Sequence, residues 1–111
     1  CHGFCPATFT TVMEPMKTSL RSYLDSNSDS ITPRTRLRLA RQIAEGIEYL
    51  HVIKDPPIIH RDLKADNILL TIDYQAKLAD FGTTREVKNA LQTLLPEVGT
   101  SFWRAPETWA G

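Results

Sequence analysis

A surplus of either charge, cysteine and long apolar runs are all scarce in this chain, and each shortage excludes a class of function. Thirteen Lys and Arg balance thirteen Asp and Glu, for a formal net charge of zero. That balance argues against holding nucleic acid or an anionic membrane by bulk electrostatics. No apolar run approaches the roughly 20 residues that span a bilayer, and no basic, apolar, small-residue signal segment opens the chain. The expectation is a cytoplasmic or nuclear setting with no membrane contact in this segment. Only two cysteines occur, Cys1 and Cys5. Cys1-His2-Gly3-Phe4-Cys5 resembles part of a zinc or disulfide site, but no second Cys/His cluster completes four ligands. Buried thiols on a strand are expected instead. An initiator Met is also missing, and the chain opens in what reads as mid-strand, so a fragment is expected.

The densest chemistry lies in His60-Arg61-Asp62-Leu63-Lys64-Ala65-Asp66-Asn67. It sets a carboxylate, an ammonium and an amide at fixed offsets in one short loop. Phosphoryl transfer needs such a set: a group that positions a hydroxyl and takes its proton, a countercharge, and a neutral oxygen donor for a metal. Asp62, Lys64 and Asn67 fit those roles in turn. Pro57-Ile58-Ile59 and Ile68-Leu69-Leu70 flank the loop as apolar, strand-like anchors.

Around this loop the coarse organisation is legible. Phe9 to Met13 is β-branched and apolar, a short strand, with Glu14-Pro15-Met16 as connector. Leu20 to Leu24 can form a short helix, and Asp25 to Ser30 reads as a polar surface loop. Thr32 and Pro33 read as N-cap and first residue of a helix reaching about Val52, with Ala40, Ile43, Ala44, Ile47 and Leu50 on its apolar face. Arg34, Arg36, Arg38 and Arg41 read as its solvated face in preference to a docking patch. Pro56-Pro57 then imposes an extended approach to His60. Ile68–Thr71 and Ala76–Ala79 should pair around the turn at 72–75, bringing Asn67 and Asp80 to one end. An amide and a carboxylate oxygen there would suit Mg²⁺. Thr83 to Ser101, with Pro96 and Gly99, lacks periodicity and reads as a mobile loop.

Three blocks in order resemble the eukaryotic protein kinases. His60, Arg61, Asp62, Leu63 and Asn67 match the catalytic-loop pattern H-R-D-L-x-x-x-N, Asp80-Phe81-Gly82 matches D-F-G, and Ala105-Pro106-Glu107 matches A-P-E. The resemblance implies an α+β, protein-kinase-like fold in part. Residues 1–13 would be the last small-lobe strands, 14–16 the hinge, and 17–111 the first half of the mostly helical large lobe, through A-P-E. The family's G-x-G-x-x-G loop, third-strand Lys, its helix partner Glu and the helices after A-P-E have no counterpart in these residues.

By the same resemblance the cofactors are ATP and Mg²⁺ and the partner is a protein substrate. Asp62, Lys64 and Asn67 would be catalytic, with Asn67 and Asp80 as metal ligands. The Glu14 carbonyl and Met16 amide would meet the adenine edge, Met13 would guard the back of the pocket, and Leu69 would lie beneath the base. His60 and Phe81 would stack. Arg61 resembles the arginine that grips a phosphorylated loop residue. Thr83, Thr84 and Thr93 are the acceptors, Thr93 best placed, which would make an upstream activating kinase a partner. Many family members carry a hydroxyl three residues before Gly99, where this chain has Pro96. Lys64 and Thr100 resemble serine/threonine kinases, and Trp103-Arg104 with Pro56-Pro57 resembles the tyrosine-kinase-like branch. The alternative is a pseudokinase or scaffold module that binds nucleotide or partners without catalysis.

Overall fold

The computed structural model describes residues 2–86 and 100–106. Two helices and three small antiparallel sheets form an α+β arrangement, and each element has a local cause. Strands β1 (Gly3–Cys5) and β2 (Thr10–Val12) form a hairpin in the register Gly3↔Val12, Phe4↔Thr11, Cys5↔Thr10. Cys5 is strand-borne as expected but exposed, on a hairpin whose residues are mostly exposed. Cys1 lies outside the described residues.

Strand β3 (Thr18–Ser19) leads directly into α1 (Leu20–Asn27). Ser19 Oγ caps the helix, accepting the Ser22 amide at 3.1 Å. The helix runs one turn past the expected end. Arg21 pairs with Asp25 at 2.9 Å, and Asn27 donates its Nδ2 to the Tyr23 carbonyl at 2.9 Å. The first half of the expected polar loop is therefore helical. Thr32 caps α2 (Pro33–Glu48) by accepting the Thr35 amide at 3.2 Å, with Pro33 at its first position. Tyr49–Ile53 continues α2 as a π-helical turn.

Strands β5 (Ile68–Leu70) and β6 (Ala76–Leu78) pair as expected, in the register Ile68↔Leu78, Leu69↔Lys77, Leu70↔Ala76. β3 joins the other edge of β5, giving the order β3-β5-β6. Leu20, Leu39, Ile68 and Leu70 form the core, with half-buried Tyr23, Leu24, Ile43, Ala65, Tyr74, Ala76 and Leu78 packed around it. The buried face of α2 is rotated from the expected one. Leu39 and Leu50 are buried and Ile43 and Ile47 half-buried, whereas Ala40 and Ala44 are exposed. Gly46 lies on the packed side: a Cβ there would sit 3.2 Å from Leu78, so the helix meets β6 at a residue that carries no apolar weight in the sequence. The four arginines are exposed or pair locally, Arg41 with Glu45 at 2.7 Å and Arg36 with the Ser28 carbonyl at 3.1 Å, as a solvated face requires.

Strand β4 (Ile58–Ile59) pairs with β7 (Arg85–Glu86), in the register Ile58↔Glu86, Ile59↔Arg85. This corrects part of the expected loop, since Phe81–Thr83 is a 3₁₀ turn and 85–86 a strand. Among the described residues no helix is long and apolar enough to cross a membrane.

Candidate active site

The loop between β4 and β5 is organised on His60, which is buried. Its Nε2 lies 2.7 Å from the Ala79 carbonyl, and its Nδ1 accepts the Asp62 amide at 3.3 Å. Those two contacts together require the proton on Nε2. The ring also stacks on Phe81 at 5.2 Å between centroids, tilted by 58°, as expected from the pairing of loop and D-F-G. Arg61 takes a left-handed backbone, φ 66°, a conformation that costs an L-residue about 1 kcal/mol or more. That reversal returns the Asp62 amide to the ring of His60.

Asp62 then meets four donors. Thr100 donates its amide at 2.8 Å and its hydroxyl at 2.7 Å to Oδ1. Asn67 Nδ2 bonds Oδ2 at 3.0 Å and the Asp62 carbonyl at 2.9 Å. Lys64 Nζ stands 3.4 Å from Oδ2 and also donates to the Thr100 hydroxyl. The Thr100 hydroxyl bond, chiefly, holds the Asp62 carboxyl below the usual carboxylate range, with the Thr100 amide and Lys64 adding to it and burial opposing. Four donors match the roughly four acceptor directions of a carboxylate. An incoming hydroxyl therefore reaches Asp62 by replacing one donor, and Lys64 holds the longest contact.

Asn67 is buried at the end of the 3₁₀ turn Ala65–Asn67, and its carbonyl accepts the Ala79 amide at 2.8 Å. Asp80, next along, is exposed and left-handed at φ 59°, with its carboxylate 3.4 Å from the Gly82 amide. Both residues thus stand at the open end of the β5–β6 hairpin. The Asn67 bonds above use Nδ2 and leave Oδ1 as a donor to a cation. One amide and one carboxylate oxygen suit Mg²⁺, which keeps several waters. Among the described residues no group of three His, Cys, Asp or Glu side chains offers a closed metal cage.

The candidate nucleotide residues are brought near one another less directly. Lys77 forms an ion pair with Glu14 and lies opposite Leu69 in the sheet, which ties the connector to the hairpin. That bond lowers the Glu14 pKa. Met13 is exposed, and Met16 and Leu69 are half-buried. Thr84 donates its hydroxyl to the Phe81 carbonyl at 2.7 Å. Thr93, Gly99 and Glu107 lie outside the described residues, as does the expected loop from 87 to 99. Sequence reasoning missed Lys77 and Gln42, whose Oε1 accepts the Ala76 amide at 2.9 Å. It also took Thr100 as a mark of substrate class without its bond to Asp62.

A protein-family model described as protein kinase domain matches residues 6–110. The chain is 50% identical over 68 residues to calmodulin-binding receptor-like cytoplasmic kinase 2 of Arabidopsis thaliana, covering 60% of this chain and 16% of that protein. It is 49% identical over 69 residues to serine/threonine-protein kinase 10 of Xenopus tropicalis, covering 62% and 7% respectively. Against receptor protein-tyrosine kinase CEPR1 of Arabidopsis thaliana the identity is 45% over 76 residues, covering 67% and 8%. The chain thus spans less than a fifth of the length of each of these relatives. That family model covers most of the chain, and the chain belongs to the protein kinase domain family as a partial protein-kinase-like fold.

Proposed function

We propose that this segment belongs to an enzyme that uses ATP and Mg²⁺ to phosphorylate serine and threonine hydroxyls of protein substrates, in the cytoplasm. The observation that carries the reading is the Asp62 carboxylate held by Thr100, Asn67 and Lys64. In that role Asp62 would orient the substrate hydroxyl and accept its proton at Oδ2, and the Lys64 ammonium, 3.4 Å from that oxygen, would supply countercharge to the phosphoryl group. Asn67 Oδ1 and the Asp80 carboxylate would hold Mg²⁺, and the Glu14 and Met16 backbones with Met13 and Leu69 would take adenine. Bound ATP with Mg²⁺ supplies the transferable phosphoryl group and its countercharge. Arg61 and Thr93 would serve control of the loop by an upstream kinase. Serine/threonine preference is supported by the Lys64–Thr100 contact and by the names of the serine/threonine kinase relatives.

The test uses a protein of full kinase-domain length carrying this segment. Asp62→Asn should retain nucleotide binding and lower turnover by about 10²–10⁴-fold, the usual worth of a positioned base. Unchanged turnover would remove Asp62 from the chemistry. Nucleotide binding with no phosphotransfer in the parent would establish the pseudokinase alternative, and equal use of Ser, Thr and Tyr peptides would remove the substrate preference.

A further inference from the structure

Helix α2 runs alongside strand β6 and the turn that precedes it. Arg38 Nη2 reaches the Tyr74 carbonyl at 3.5 Å, Gln42 Oε1 accepts the Ala76 amide at 2.9 Å, and Gly46 stands where a Cβ would lie 3.2 Å from Leu78. From Gln42 to Gly46 one step of four on the helix meets one step of two on the strand, Ala76 to Leu78. The match is metric, because four helical residues rise about 6.0 Å and two strand residues about 6.7 Å. β6 is an edge strand: Ala76 faces Leu70 across the ladder, and its amide turns outward to Gln42. Gln42, Gly46, Ala76 and Leu78 themselves line, with Tyr49 and Phe81, a cavity of about 280 Å³ along this seam. The Gln42–Ala76 bond spans that open seam, and β6, whose other edge is held by β5 and by the bond from the Ala79 amide to the Asn67 carbonyl, runs through Ala79 into Asp80.

We propose that Gln42, assisted by Gly46, is a positioning residue for the proposed metal ligand Asp80: its hydrogen bond to the Ala76 amide holds the outer edge of β6, whose inner edge is fixed to β5 and, through the Ala79 amide, to Asn67, and so steadies the strand that delivers the Asp80 carboxylate. This rests on the reading of Asn67 and Asp80 as the Mg²⁺ ligands. Gln42 touches no reacting group and acts through the strand alone. A side chain without an acceptor at 42 leaves the Ala76 amide without its partner and lets the strand slide or lift by a fraction of its repeat. Metal geometry is sensitive to that, since Mg²⁺ demands near-ideal octahedral distances.

The test is a Mg²⁺ titration of ATP binding, beside metal-free adenosine binding, in the protein of full kinase-domain length. Gln42→Leu should raise the Mg²⁺ concentration for half-saturation about five- to tenfold and leave adenosine affinity within about twofold, a modest ligand-geometry effect on the scale of outer-shell changes. Gln42→Glu, which keeps the acceptor, should stay within about twofold of the parent in both. Gly46→Ala offers a second variant whose fold is favoured by helix propensity. It should raise the Mg²⁺ requirement about two- to fourfold by pressing on Leu78. An unchanged Mg²⁺ requirement in Gln42→Leu, equal losses in the Leu and Glu variants, or a parallel fall in adenosine affinity would each overturn the proposal. A parent whose ATP binding ignores Mg²⁺ overturns the metal-site reading, and the positioning role with it.

Discussion

Thr100 holds Oδ1 of Asp62 by two bonds at once, its amide at 2.8 Å and its hydroxyl at 2.7 Å, across 38 positions of sequence. The same hydroxyl accepts from Lys64, so one threonine connects the proposed base to the proposed countercharge. Removing that hydroxyl separates the two functions. In a protein of full domain length, Thr100→Val should lower peptide phosphorylation about 10- to 100-fold, because a hydrogen bond to a charged group contributes about 1.5–3 kcal/mol. Thr100→Ser, which keeps the hydroxyl, should stay within a few-fold of the parent. Equal rates for the Val variant and the parent would show that the amide alone suffices.

Acid stability should respond to the same contact. The Asp62 carboxyl is held below its ordinary value, chiefly by the Thr100 hydroxyl. The folded state then binds fewer protons than the unfolded state, so this contribution is present above the unfolded value, about 3.9 for Asp. It is lost as pH falls through the lower folded value. Thr100→Val should therefore shift the acid-unfolding limb, followed by circular dichroism, toward higher pH. A limb that stays in place, or moves to lower pH, contradicts the assignment.

Metal and base chemistry should also separate. Asp80→Ala removes a carboxylate that is exposed at the hairpin end and remote in sequence from Glu14 and Met16. Mg²⁺-dependent ATP binding should fall by far more than metal-free adenosine binding, measured by calorimetry. Parallel losses of both ligands would contradict the division.

The 111-residue chain by itself should be a poor enzyme and a sticky protein. Phe4, Phe9, Leu37, Val52, Ile53 and Phe102 are all more than half exposed. Even 400 Å² of excess apolar surface corresponds to about 10 kcal/mol at about 25 cal/mol per Å², comparable to the whole stability of a typical domain. The isolated chain should bind a hydrophobic dye, melt without a sharp transition and show no phosphotransfer. A cooperative melt together with Asp62-dependent activity would make it a self-sufficient minimal enzyme.

What the amino-acid order determined alone was everything settled within a few residues. Thr32 and Pro33 announce the start of α2, because a cap needs only its own first turn. The spacing in His60 to Asn67 marks the candidate catalytic loop, and the turn at 72–75 with its apolar flanks carries the β5–β6 hairpin. The two-residue strands β3 and β7 were not legible, since a period of two needs several residues to register. Ser, Asn and Asp disguised the last turn of α1, because they favour turns until a helix offers them partners such as Arg21 and the Tyr23 carbonyl. Tertiary structure decided the rest. Which face of α2 is buried was decided by its packing on β6, where Gly46 meets Leu78, and the bonds from Gln42 to Ala76, Glu14 to Lys77 and Thr100 to Asp62 join residues 34, 63 and 38 positions apart. Such pairs form only after packing has excluded water and closed the intervening loops, so no local pattern encodes them.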